Sequence, residues 1–186
     1  GGILHLNWYF ALDGLTPEEI PVASFLAQVL TNVPTRSHSL EELQREIRTR
    51  LGSLRFGVEA YERQGDPTRC RAFLTVQCSF LEQKRETALA LVQEILTASC
   101  LEDGETIYPF VCQQRVTLTE LAVQNGHNTA LLRVMARTVP EGVVQELASG
   151  ASFLGWLRAL ERNFQEKFPA LGAQLQALAK KLFVRS

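Results

Sequence analysis

The sequence predicts an α+β fold, an antiparallel sheet with helices packed on one face. Residues 3–12 alternate bulky apolar side chains with others, the pattern of a half-buried strand. Two strand-like runs near the middle of the chain are separated by the turn-forming sequence Gln64-Gly65-Asp66-Pro67, which reads as a hairpin. Beyond residue 100 the apolar periodicity is helical throughout. With antiparallel strands early and helices gathered late, a layered α+β domain follows.

Each element has a local cause. After the first strand, Thr16-Pro17-Glu18-Glu19 places an N-cap at Thr16, proline at the first helical position and the glutamate of a capping box at Glu19. Val22, Leu26, Val29, Leu30 and Val33 then form one helical stripe. Pro34 to Ser37 is a connector. Ser39-Leu40-Glu41-Glu42 repeats the capping box and opens a helix that buries Leu40, Leu43, Ile47 and Leu51 and stops at Gly52. The hairpin strands are expected at about 53–63 and 69–80. A helix beginning near Leu81 carries Leu89, Val92, Ile95 and Leu96 on its apolar side. Further helices are expected at 105–124, 129–137, 142–148, 152–163 and 165–184, with a break or kink at Pro169. The whole of 1–186 reads as a single domain. Three strands are few for so many helices, so a fourth strand beyond Ser186 and a longer parent polypeptide are expected.

Composition narrows the function classes. Apolar residues make up 46% and charged residues 21%, enough for a substantial core, and the net charge is −1. That balance gives no electrostatic case for nucleic acid or an anionic membrane. Lys180 and Lys181, with Arg162, Lys167 and Arg185, are interrupted by Glu161 and Glu166 and read as a solvated helix face. No apolar run approaches the ~18–20 residues that cross a bilayer, and no stretch reads as a signal peptide. Cys70, Cys78, Cys100 and Cys112 form no C-x-x-C pair. They read as small, partly buried thiols of the cytoplasm or another reducing compartment, Cys70 and Cys78 sharing one strand face.

Familiar reaction motifs are missing: there is no G-x-S-x-G, no Walker loop and no G-x-G-x-x-G. Ser149 to Ser152 is a turn and helix cap. His38-Ser39-Leu40-Glu41-Glu42 lacks the second histidine of H-x-x-E-H, and His38 precedes its helix, so a surface histidine beside an acidic first turn is expected. His127, in the breaker Asn125 to Asn128, is expected to meet a terminal carbonyl or water. An enzyme using His127 with a nearby carboxylate is the weakest of the readings considered.

Ala23-Ser24-Phe25-Leu26-Ala27-Gln28, then Ser39-Leu40-Glu41-Glu42-Leu43, then Leu51-Gly52-Ser53-Leu54 fall in an order that resembles the insulinase/pitrilysin superfamily of zinc peptidases, whose catalytic helix reads H-F-L-E-H. The run from Asn125 to Arg133 looks like the G-H-x-x-A-x-x-R element of its presequence-protease branch. The likeness continues through Ser149-Gly150, Phe153-Leu154, Asn163-Phe164 and Lys180 to Phe183. It covers roughly the whole chain and implies a LuxS/processing-peptidase-like layer with additional C-terminal helices.

On that alignment Ser24 stands for the first histidine, Ala27 for the general-base glutamate and Gln28 for the second histidine. None of the three is a good zinc ligand, and alanine carries no base. The region around Cys112-Gln113-Gln114 offers no match to the family's further metal-binding glutamate. The resemblance therefore implies a non-catalytic third domain, the first of the C-terminal half of a peptidase. It would hold no catalytic, cofactor-binding or metal residues of its own, and zinc would sit in another domain of the parent metalloendopeptidase. Its partners would be the other domains of that parent and unfolded peptide substrate, with no nucleic acid and no membrane. The alternative is a stand-alone inactive scaffold for protein–protein interaction.

Overall fold

The computed structural model describes residues 2–63 and 65–184. Gly1 lies outside the described residues, as do Gln64 of the expected hairpin turn, Arg185 of the expected basic face and Ser186, the residue beyond which a fourth strand is expected. In chain order the elements are β1 (Ile3–Ala11), α1 (Ile20–Val29), α2 (Leu40–Arg50), β2 (Ser53–Arg63), β3 (Asp66–Leu81), α3 (Arg85–Ala98), α4 (Gly104–Gln124), α5 (Gly126–Thr138), α6 (Pro140–Ser149), α7 (Ala151–Arg162) and α8 (Phe164–Phe183).

Among the described residues the sheet is antiparallel in the order β1-β3-β2. Register explains which residues enter the core. Leu4, Leu6, Trp8 and Phe10 face Phe80, Cys78, Val76 and Leu74 across β1–β3, and Leu54, Phe56 and Val58 face Cys78, Val76 and Leu74 across β2–β3. This is the inner face, with period two on every strand. Cys70 and Cys78 share the β3 parity that the sequence predicts. Against this face lie α1, α3 and α6, while α8 crosses β1. Phe25, Leu26, Leu30, Leu43, Leu91, Ile95, Ile107, Phe153, Leu157 and Leu175 are sealed from solvent at the centre. At this depth each large side chain contributes about 1.5–3 kcal/mol relative to exposure. On the opposite face His5, Asn7 and Tyr9 are open to solvent.

Both capping boxes form. The Thr16 amide donates to Glu19 at 2.8 Å, and the Ser39 amide to Glu42 at 2.9 Å. Several boundaries differ from expectation for local reasons. Pro17–Glu19 is a tighter 3₁₀ turn that leads into α1, and Val33 is buried in the loop after that helix. The third helix is likewise preceded by a 3₁₀ turn at Glu82–Lys84. β3 begins at Asp66, which pairs with Arg63. The hairpin turn is therefore shorter than the four residues predicted, with Gly65 at φ +84°, a value costly for any residue with a Cβ. Asn125 alone separates α4 from α5, so His127 falls inside the first turn of α5. Helix α8 runs unbroken through Pro169. The missing amide sits near the helix start, where it costs one ladder bond at an exposed position.

His38 is also corrected. Its Nδ1 lies 2.8 Å from Glu94 Oε1 on α3. The Thr35 hydroxyl donates to the same oxygen and accepts the amides of Ser37 at 3.3 Å and His38 at 3.0 Å. The carboxylate thus ties the 34–38 loop to α3, beside the Thr35–Ser99 bridge. Burial pushes the Glu94 carboxyl up, but the Thr35 and His38 hydrogen bonds outweigh it and hold the group below the usual 4.5. A carboxyl depressed in the folded state adds stability that is complete above the unfolded value and lost as pH falls through the folded one. Replacing Glu94 with Gln should therefore lower the unfolding free energy at pH 7 by about 1–2 kcal/mol, the scale of a charge-assisted hydrogen bond. The difference from wild type should shrink as pH falls below 4.5 and disappear once the folded carboxyl is protonated. Urea unfolding across that range is the measurement, and a pH-independent difference would contradict this role for Glu94.

Candidate functional site

The positions that matter lie on α1. This helix is buried on nearly all sides because it passes between the sheet and the late helices, with α6 and α8 both against it. Ser24 and Ala27 are 4% and 2% exposed, and Gln28 is half-buried. All three stand on one side of the helix, as residues i, i+3 and i+4 must.

What faces them is the end of α6. The Ser24 hydroxyl donates to the carbonyl of Ala148 at 2.5 Å. Gln28 Nε2 donates to the Ser24 oxygen at 3.3 Å, while Gln28 Oε1 is buried without a partner among the described residues. The last four carbonyls of any helix have no partner inside it. Ala148 is in that last turn and is itself buried, so its carbonyl needs a donor from elsewhere, and Ser24 supplies it.

Two residues earlier, Glu146 is 6% exposed, although it belongs to the residue class least often buried. Its Oε1 accepts from the Ser152 amide and the Ser152 hydroxyl, each at 3.1 Å. Helix α7 opens at Gly150, which has no side chain to cap it, so the Glu146 carboxylate caps it from the preceding helix and meets its positive end. A Cβ on Gly150 would collide with Glu146 Oε2, so this arrangement requires glycine there. Arg133 Nε approaches Oε1 at 3.7 Å from α5.

The chemistry open to this arrangement is limited. Among the described residues Ser24 hydrogen-bonds no histidine or carboxylate that could act as a base, and its proton is committed to Ala148. Among the described residues no three of His, Cys, Asp and Glu converge as metal ligands. A hydroxyl, a methyl and a carboxamide against a helix-end carbonyl do not make a zinc donor set. His38 and Glu94 pair, but the Thr35 hydroxyl at that pair already uses its proton on the carboxylate. His127 is exposed on α5 and His5 on the outer sheet face, so the histidines do not converge. Burial pushes the thiols of Cys70, Cys78, Cys100 and Cys112 up, away from the thiolate form that nucleophilic cysteines need. Near Cys112, Arg115 donates to both oxygens of Glu161 at 2.8 and 3.2 Å, joining α4 to α7.

The sequence analysis placed Ser24, Ala27 and Gln28 together, and the structure puts them at one helix contact. It missed Glu146 and Glu94. Each reads in sequence as one more surface acid on an amphipathic helix, and its partner lies on another segment.

Restoring a zinc motif by Ser24→His, Ala27→Glu and Gln28→His should fail to create a metal site. The larger side chains would overpack the α1–α6 contact and bury a carboxylate, costing about 3 kcal/mol or more. Ser24→Ala alone should cost about 1–3 kcal/mol by stranding a buried carbonyl. Thermal unfolding and zinc calorimetry are the checks. Stoichiometric zinc uptake by a triple variant of undiminished stability would contradict this account of the contact.

Residues 1–160 match the family model described as peptidase M16-C associated. The chain is 23% identical over 159 residues to Protein HypA of Clostridium perfringens (strain 13 / Type A), covering 86% of this chain and 16% of that protein. It is 22% identical over 180 residues to the mitochondrial presequence protease of Yarrowia lipolytica (strain CLIB 122 / E 150), covering 96% and 18%. To the chloroplastic/mitochondrial presequence protease 1 of Arabidopsis thaliana it is 21% identical over 184 residues, covering 99% and 17%. The chain thus spans less than a fifth of the length of these relatives. A solved structure, that of a conserved protein from Enterococcus faecalis V583, superimposes with a TM-score of 0.61 at 12% identity, over 95% of this chain and 40% of the other, a likeness of fold alone. With the family model covering most of its length, the chain belongs to the peptidase M16-C associated family, as a non-catalytic region of the insulinase-type, presequence-protease-like peptidases that its sequence resembles.

Proposed function

We propose that this chain is a single wall domain, the first of the C-terminal half, in a zinc-dependent peptidase that degrades unfolded peptides. The parent hydrolyses the peptide bond with a zinc-activated water and a glutamate base carried by another domain. This domain contributes shape, enclosure and contact surface. The observation that carries the reading is the Ser24–Ala148 hydrogen bond. The helix positions that a catalytic domain of this kind gives to metal ligands are spent here on holding α6. The mitochondrial and plastid relatives named as presequence proteases support a peptide substrate, and their greater length supports companion domains as partners.

A surface for those companions is also present. Leu121 and Val123 at the end of α4, and Leu131 and Val134 on α5, are exposed, Val123 at 80%. Apolar exposure gathered on two adjoining helices marks an association surface rather than ordinary scatter. The four unbridged cysteines are in keeping with a reducing compartment.

Two experiments test the reading. Purified and supplied with zinc and an unstructured peptide, the chain alone should give no chelator-sensitive cleavage. In the full-length polypeptide, excising these residues should abolish peptide turnover while zinc content stays the same. Cleavage by the isolated chain, or a zinc loss that tracks the excision, would sink the proposal.

A further inference from the structure

We propose that α8, with the edges of α1 and α7, forms a docking groove for one helix of the parent polypeptide, apolar along its middle and acidic at both ends. This rests on the wall-domain reading and adds a contact which that reading does not name. Two clefts of about 220 and 190 Å³ run end to end along α8, sharing Val22 on one wall and Gln174 on the other. Leu15 lines the first cleft, and Trp156 and Leu160 line the second, so the wall opposite α8 is largely apolar.

The α8 side carries the spacing of a helix-to-helix seam. Lys167, Ala170, Gln174, Ala177 and Lys181 all line the groove, all are exposed, and they follow one another in alternating steps of three and four. Ala170 and Ala177 keep the floor low, so a second helix can approach closely along its length. From Lys167 to Lys181 the seam rises about 21 Å, some four turns of helix. Length and period together suit an amphipathic helix laid in the groove rather than a compact ligand.

Charge selects the partner. Among the described residues neither Lys167 nor Lys181 forms an ion pair. Lys167 Nζ donates to the Ala159 carbonyl at 3.3 Å, a bond that leaves two of its three donors. Asp13, whose charge reaches Lys181, is held by Arg71, and Glu19 across the groove accepts the Thr16 amide. A second copy of α8 is disfavoured in either direction. Laid antiparallel about Gln174 it sets Lys167 against Lys181, and laid parallel in register it sets each lysine against itself. A helix with carboxylates two heptads apart meets both lysines at once. This chain spans less than a fifth of the length of its relatives, and the remaining polypeptide is the source of such a helix.

The test compares the full-length polypeptide with the isolated chain of residues 1–186. Acetylation of Lys167 and Lys181 should be about tenfold slower or more in the full-length polypeptide. Carbodiimide coupling should join both lysines to acidic residues about fourteen apart in one helical segment outside residues 1–186. Ala170→Arg with Ala177→Arg should return both lysines to the acetylation rate of the isolated chain. In the isolated chain that double variant should leave the melting temperature unchanged, since both alanines are exposed. Equal acetylation rates in the two polypeptides, or coupling to no single helix, would overturn the groove assignment while leaving the wall-domain reading standing. Coupling to a second copy of residues 1–186 would overturn it as well. A native polypeptide consisting of these residues alone would overturn both.

Discussion

The end of helix α6 presents a buried carbonyl that its own helix cannot satisfy, and much of this molecule is arranged around that constraint. Ser24 on α1 donates to it. With that end secured, α6 can lie against α1, β2 and β3 together and carry α5 and α7 on its other sides. Glu146, two residues before the secured carbonyl, then caps α7 in place of the side chain Gly150 lacks. A serine, a helix end and a buried carboxylate thus set where three late helices sit on an early α/β layer.

The same constraint accounts for the family relationship in physical terms. A helix that holds a metal needs open space before its ligands and side chains long enough to reach one ion. In this chain α1 has a hydroxyl, a methyl and a carboxamide at those positions, and the end of α6 lies against Ser24. A carbonyl packed against these positions needs a small donor, not an imidazole, so the α1–α6 contact and a metal site at the same residues exclude each other. A peptidase built from related domains can keep the layer and spend the ligand positions on packing. The peptidase-associated family match over residues 1–160 and the short share of the longer relatives covered are in keeping with such a division.

The legible parts of the sequence were those with local causes. Thr16 with Glu19, and Ser39 with Glu42, announce their helices because both halves of each capping box lie within four residues. The alternation in β1 announces its face for the same reason. The fate of Pro169 was not legible, since the cost of a proline depends on how near it sits to a helix start that periodicity places only approximately. His38 with Glu94 and Ser24 with Ala148 join residues 56 and 124 positions apart. No window of sequence contains either pair. Ser24, Ala27 and Gln28 were singled out only because a resemblance aligned them with another motif. The contact they make with α6 came from tertiary packing alone.

A crystal grown in millimolar zinc, with anomalous data collected across the zinc edge, tests the central claim most directly. The account predicts no zinc at Ser24 to Gln28 and the Ser24 hydroxyl within hydrogen-bonding distance of the Ala148 carbonyl. A zinc ion bound by Ser24 and Gln28, with the end of α6 displaced from α1, would contradict it.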